Sequence, residues 1–221
     1  MLVLVLLPLG SWSQPPSPPQ PQPHSPAARP AMAGTEPWEF SLTLDGYLIE
    51  GQNGYAQPTF TADHKWLHLE ARYNYENFRI GSLWGGYNFS WGKTWQFKVT
   101  PMIGAVFGPT NGVAPGCEAS VSWKVLELSI DNEYVFDTTS KSGNLYYSWP
   151  QLTTSPIGWF RFGAVAQHTK VFETKLDVQR GFFVGFHHEV GGQNKELEFT
   201  TYVFDPGSNA TTVVLEVGAN F

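Results

Sequence analysis

The charged residues of this chain recur at every second position. His68, Glu70 and Arg72 do so, as do Glu196 with Glu198 and Asp131 with Glu133, while Glu127 lies two steps further along the last row. Lys98, Glu118, Arg161, His187 and Glu216 stand singly in segments with the same alternation. A spacing of two places side chains on one face of an extended strand, within reach of the same face of neighbouring strands. Charges gathered on such a face must be paired, hydrogen-bonded or hydrated if the face is enclosed. The chemistry this allows is that of a wet, mixed-charge and on balance acidic lining that binds or passes small polar solutes. The bland alternative is a lining closed by its own ion pairs.

Other chemistries find little support. No serine sits in a G-x-S-x-G elbow, and a carboxylate beside a histidine, as at His187, His188 and Glu189, is an ordinary hydrogen-bonded pair. His187 and His188 point to opposite faces of a strand. His64 and His68 lie on a turn and a strand, where a spacing of four does not converge on a metal. Glu127, Asp131 and Glu133 read as an acidic row balanced by Lys98 or Arg161 rather than as a calcium site. No catalytic residue, cofactor or metal is therefore expected. Phosphate-loop and dinucleotide motifs are absent. The formal net charge is −6 with no basic run, so nucleic acid is not an expected partner. One cysteine, Cys117, excludes an intrachain disulfide framework.

The elements that must carry these residues are strands. From Trp38 onward, apolar and polar residues alternate with a period of two, and no helical period appears. Trp66–Tyr75 is the clearest case: Leu67, Leu69, Ala71, Tyr73 and Tyr75 face one way, His68, Glu70, Arg72 and Asn74 the other. The same pattern marks Trp38–Ile49, Phe78–Trp91, Thr94–Phe107, Val113–Lys124, Leu126–Phe136, Ile157–His168, Leu176–Glu189, Lys195–Phe204 and Val213–Phe221. Gln57–Ala62 and Leu145–Leu152 are weaker, the latter interrupted by Pro150, and Pro101 predicts a bulge or a gap in pairing. The segments number about twelve (range 8–14), close to the spacing of strands of about 9–11 residues joined by short turns. An even number would bring both chain ends to one side.

Which face is inside decides the class. In a soluble sandwich or barrel the apolar face is the core; in a membrane barrel it meets lipid and the charged face lines the lumen. Charged residues make up only 14% of the chain against a usual fraction of about 25%, so either much of the surface does not face water or the fold is a large all-β one with a polar, uncharged exterior. Aromatics gather near strand ends, at Trp38, Trp66, Tyr73, Tyr75, Trp91, Trp95, Trp123, Tyr134 and Phe136, in the manner of membrane-interface girdles. Small residues on the polar face, Gly104, Gly163, Gly181 and Gly185, predict open space there. Finally, Val213, Leu215, Val217, Ala219 and Phe221 share one face of the last strand. This ending resembles the C-terminal assembly signal of bacterial outer-membrane β-barrels, a final Phe with apolar residues at every second position before it. The resemblance implies an exported protein that contacts outer-membrane lipid and the barrel-assembly machinery.

Residues 1–13 read as a secretory signal peptide, with an apolar run from Leu2 to Leu9 but no preceding Lys or Arg. Residues 14–37, rich in Pro, Gln, Ser and Ala, read as a disordered Pro-rich linker. Residues 38–221 are expected to form one all-β domain, a closed antiparallel transmembrane β-barrel in a Gram-negative-type outer membrane. The function expected of it is a porin-like channel or passive scaffold for small polar solutes, with His68, Glu70, Arg72, Lys98, Glu118, Glu127, Asp131, Glu133, Arg161, His187, Glu196, Glu198 and Glu216 lining the lumen. A secreted carbohydrate-binding β-sandwich and an outer-membrane lipid hydrolase are the competing expectations.

Overall fold

The computed structural model describes residues 37–51, 53–76, 78–171, 174–191, 195–208 and 210–221. The expected signal peptide and all but the last residue of the expected linker lie outside them. The strands are β1 (Glu39–Ile49), β2 (Tyr55–His64), β3 (Leu67–Tyr73), β4 (Gly81–Tyr87), β5 (Phe89–Gly92), β6 (Gln96–Phe107) and β7 (Gly112–Trp123). They continue with β8 (Leu126–Asp137), β9 (Leu145–Ile157), β10 (Phe160–Val171), β11 (Asp177–Glu189), β12 (Glu196–Phe204) and β13 (Thr212–Asn220). A single 3-10 turn, Lys141–Gly143, interrupts the β8–β9 connection.

Successive strands pair antiparallel, and β13 pairs β1, with Ser41 opposite Asn220 and Ile49 opposite Thr212. Both β4 and β5 pair with β6, so the two are halves of one wall position broken at Asn88. The thirteen strands therefore close a ring of twelve positions, a closed antiparallel barrel. Closure excludes the β-sandwich. The seam is held at its end by paired backbone bonds: Phe40 N–H donates to Phe221 O (3.0 Å) and Phe221 N–H to Phe40 O (2.9 Å).

The prolines behave as their missing N–H requires, with one refinement. Pairing of β6 with β7 runs through Pro101 without a shift, Pro101 opposite Cys117. On its other side the partner strand breaks, because the ladder passes from Gly86–Met102 to Phe89–Val99. Asn88 fills the break: its N–H donates to Trp66 O (2.7 Å), its Nδ2 to Asp63 Oδ1 (2.6 Å), and Thr100 Oγ1 donates to its Oδ1 (2.7 Å). The expected strand over Phe78–Trp91 is shortened accordingly, beginning only at Gly81. Before it, Asn74 and Arg79 take left-handed backbone conformations (φ 59° and 63°) and Asn74 N–H donates to Ile80 O (2.8 Å), closing a turn. Pro150 interrupts its strand on one side only. It stays opposite Ile130 on β8, the ladder to β10 skips from Gln151 to Ser148, and β9 continues to Ile157.

The polarity of the barrel is inverted relative to a water-soluble protein. On β1, Leu42 and Leu44 are 46% and 47% exposed whereas Thr43 and Asp45 between them are 3% and 0% exposed. The same holds round the ring, with Leu69, Leu83, Ile103, Leu128, Leu152, Phe182, Phe199 and Leu215 outward. An apolar surface continuous over every strand far exceeds the few hundred square ångströms tolerated by soluble monomers. It is the outer face of a barrel that crosses a membrane. Exposed Trp38, Trp66, Trp91, Trp95 and Trp159 mark the end of the wall that holds Glu39 and Phe221, here the near end. Trp95 stacks on Trp123 (5.3 Å) and Trp66 on Tyr87 (5.2 Å) there. Tyr73, Phe107 and Phe136 mark the far end. Tyr75 does not join them as expected: it is 3% exposed and folds inward over Arg72.

Candidate functional site: the barrel lumen

Every residue expected to line the lumen lies at an inward-facing position, because each shares its parity with the buried residues of its strand. Two ion-pair clusters result. In the first, the Arg72 guanidinium on β3 donates to Glu70 Oε2 on its own strand (2.6 Å) and to Glu133 Oε2 on β8 (2.8 Å). These strands are far apart in the wall, so Arg72 reaches across the lumen. Its Cζ lies 4.0 Å from the Tyr75 ring centroid and 4.6 Å from that of Trp84, a sandwich of cation on aromatic faces. Glu118 Oε1 stands 4.0 Å from Arg72 Nη2. His68 Nδ1 lies 2.9 Å from Asp63 Oδ1 and its Nε2 3.7 Å from Glu70 Oε2. Beside this cluster, in the β3–β4 turn, burial pushes the Glu76 carboxyl above its usual range, while Arg72 pulls it back down.

In the second cluster, Arg161 on β10 pairs with Glu198 on β12 and with Glu216 Oε1 on β13 (3.3 Å), and donates to Thr200 Oγ1 (2.9 Å). Tyr202 donates to Glu216 Oε2 (3.3 Å), and His187 Nδ1 lies 3.7 Å from Glu198 Oε2. Of the balance expected for the β8 row, the Arg161 alternative is thus corrected. Glu133 is met by Arg72, Glu127 accepts from Ser122 Oγ (2.7 Å), and Arg161 turns to β12 and β13 instead. Asp45, fully buried and in register with Glu216 on β13, adds a further lumen carboxylate.

Beyond the clusters the lumen is filled. Tyr47, Tyr147, Trp149, Phe183, Tyr202 and Phe204 pack with Val165 and Val214 into a buried aromatic plug, in which Trp149 meets Tyr202 (5.6 Å) and Phe204 (5.1 Å) edge-on. Ile80, Trp84, Met102, Val106, Ala114 and Val135 form a second buried group toward β4–β8. The inward glycines do not leave open space. A Cβ on Gly104 would stand 2.5 Å from the Trp84 ring, and one on Gly163 2.9 Å from Phe183 Cε1. At Gly104 the missing side chain is space the Trp84 ring occupies, while at Gly163 the Leu152 carbonyl oxygen stands closer still than the Phe183 ring. Toward the near end the lining opens into a vestibule, where Lys98, Glu118, Ser120, Glu127, Ser129, Asp131, His187 and Glu196 are only half-buried. The plug was legible in principle: Tyr47, Phe183 and Tyr202 sit in phase with lumen charges in the sequence, and that parity is its signal.

No protein-family model and no curated protein matches the sequence. Solved structures do. The KdgM porin superposes with TM-score 0.55 at 11% identity, covering 82% of this chain and 98% of that one. The NanC porin gives TM-score 0.55 at 12% identity over 81% and 98%. KdgM porin in complex with disordered oligogalacturonate gives 0.54 at 9% identity over 82% and 98%. The fold is that of porin-like outer-membrane β-barrels. The likeness spans nearly the whole length of those porins, and identity this low carries the fold alone.

Proposed function

We propose that this chain is an outer-membrane barrel whose lumen admits small polar solutes from the near-end vestibule, with the aromatic plug as its constriction. The observation that carries this reading is the joint polarity of the wall: a predominantly apolar outward face, and an inward face that holds the ion-pair clusters, acidic on balance, beside the aromatic plug. Porins of the same fold support it. In that setting the near end, which carries Glu39 and Phe221, faces the periplasm, the outward belt meets outer-membrane lipid, and the terminal strand is the element presented to the barrel-assembly machinery. The lumen carboxylates outnumber Arg72, Lys98 and Arg161, so the favoured solutes are neutral or cationic. A carboxylated sugar chain such as the oligogalacturonate bound by KdgM would meet repulsion here. The adjacent His187 and His188, considered for a lipid hydrolase, stand on opposite faces of β11 and so do not form one site.

Two measurements test the reading. The protein should stay in the membrane fraction through carbonate extraction and migrate heat-modifiably; free solubility without detergent would end it. In planar bilayers the wild-type barrel should conduct weakly, because Trp149 and Phe183 are 0% and 1% exposed within the plug. A Trp149→Ala, Phe183→Ala barrel should conduct several-fold more. Silence in both, with folded protein, would leave a passive scaffold.

A further inference from the structure

We propose that His68, Glu70 and Glu118 bind one divalent transition-metal cation, of which Zn2+ is the representative, in the barrel wall beside the vestibule. The proposal goes beyond solute passage and does not depend on it. One ligand atom from each residue can be chosen such that all lie within 4.8 Å of one another. They come from β3 and β7, two strands separated in the ring by β4 and β6, so the site joins two strands on the lumen side of the wall rather than following one. That is why the spacing of histidines along the sequence gave no sign of it.

The histidine supplies the independent observation. His68 is 2% exposed, and its Nδ1 is engaged by Asp63 Oδ1 at 2.9 Å. A ring that donates Nδ1–H to a carboxylate presents the lone pair of Nε2 on its other side. Here Nε2 makes no hydrogen bond to a described residue, and Glu70 Oε2 stands 3.7 Å away. A lone pair facing carboxylate oxygens in a buried site is repulsive unless a proton or a metal cation lies between them. Carboxylate, imidazole and metal in series is the recurring outer-shell arrangement that orients a metal-binding histidine and raises its basicity. Arg72 holds Glu70 through that same Oε2.

Charge points the same way. Asp63, Glu70, Glu118, Asp131 and Glu133 gather round the site, against Arg72 and Lys98. A divalent cation offsets most of that excess. One imidazole and two carboxylates suit a borderline ion such as Zn2+, whereas Ca2+ and Mg2+ prefer oxygen-only sets. Access is through Glu118, whose side chain keeps 15% exposure toward the vestibule. The competing occupant is a proton, which would make His68 an imidazolium bridging Asp63 and Glu70.

The test uses the full chain folded in detergent, with folding verified by heat-modifiable migration, stripped with EDTA and titrated with ZnCl2 by calorimetry. The expected result is one saturable equivalent per chain. His68→Ala should abolish it, Asp63→Asn should weaken it about 10–100-fold, and His188→Ala, which removes an exposed outward histidine, should leave it unchanged. Absence of saturable binding overturns the proposal in favour of the imidazolium. So does binding that survives His68→Ala, or binding lost with His188. If His68→Ala fails to fold, Glu118→Gln decides: at least tenfold weaker binding supports the site, and unchanged affinity rejects it. Conductance is not read in this assay, so a silent channel leaves the outcome untouched.

Discussion

Arg72 shows how a lumen charge can hold a barrel together. It is 6% exposed, bonded to carboxylates on two sides of the lumen and stacked between Tyr75 and Trp84. Removing one partner of a buried ion pair leaves the others uncompensated and costs about 3–5 kcal/mol. Arg72→Ala should therefore lower unfolding free energy in urea by about that amount. Adding Glu133→Gln to it should recover part of the loss, because a carboxylate without its cation is the costly species. Equal, additive losses from the two substitutions would show that the pair is not coupled. The role of Arg72 was half legible in the sequence. Parity on Trp66–Tyr75 put it in the lumen beside Glu70, but its partner Glu133 is a question of which strands face one another across the ring. Periodicity along one strand carries no such information.

At the scale of elements, β13 and β1 make the closure, and their pairing follows from alternation alone. Val213, Leu215, Val217, Ala219 and Phe221 occupy outward positions, with Leu215, Val217 and Phe221 exposed. Phe221 stacks on Phe40 across the seam at 6.0 Å, and its backbone bonds close the ladder. An offset aromatic pair is worth about 0.5–1.5 kcal/mol beyond its area. Phe221→Ala should leave equilibrium stability within about 1.5 kcal/mol of wild type, yet sharply lower the fraction that reaches the heat-modifiable form in cells. Normal insertion of that variant would show that the terminal ring is not read during assembly. Strand ends were the least legible elements. The break at Asn88 arises from Pro101 on the neighbouring strand, and the shortened start of β4 from left-handed turns at Asn74 and Arg79. Both are effects of a partner or a local turn that alternation does not encode.

For the whole molecule, the decisive quantity is the sign of the charge in a narrow, low-dielectric lumen. Alternation and charge scarcity together gave the inverted polarity, because a barrel with lipid outside needs its few charges inside. They did not give the plug, since an inward aromatic and an outward one look alike until parity is read against the charges beside them. With the plug in place, ions meet first the vestibule lined by Glu118, Glu127, Asp131 and Glu196, with Lys98 the half-buried lysine among them. Carboxylates in a cleft with apolar walls focus a negative potential, concentrating cations and excluding anions. The barrel opened by Trp149→Ala and Phe183→Ala should therefore pass K+ over Cl−, read as a reversal potential under a KCl gradient. Selectivity should shrink as salt rises from about 0.1 M to 1 M, where the Debye length falls from about 10 Å to about 3 Å. Glu127→Lys with Glu196→Lys, both half-buried in the vestibule, should move the reversal potential toward that of Cl− without changing folding. An opened pore that is unselective at low salt would place the acidic residues in mutual neutralisation with protons or cations, and the vestibule would then act as a binding surface rather than as a filter.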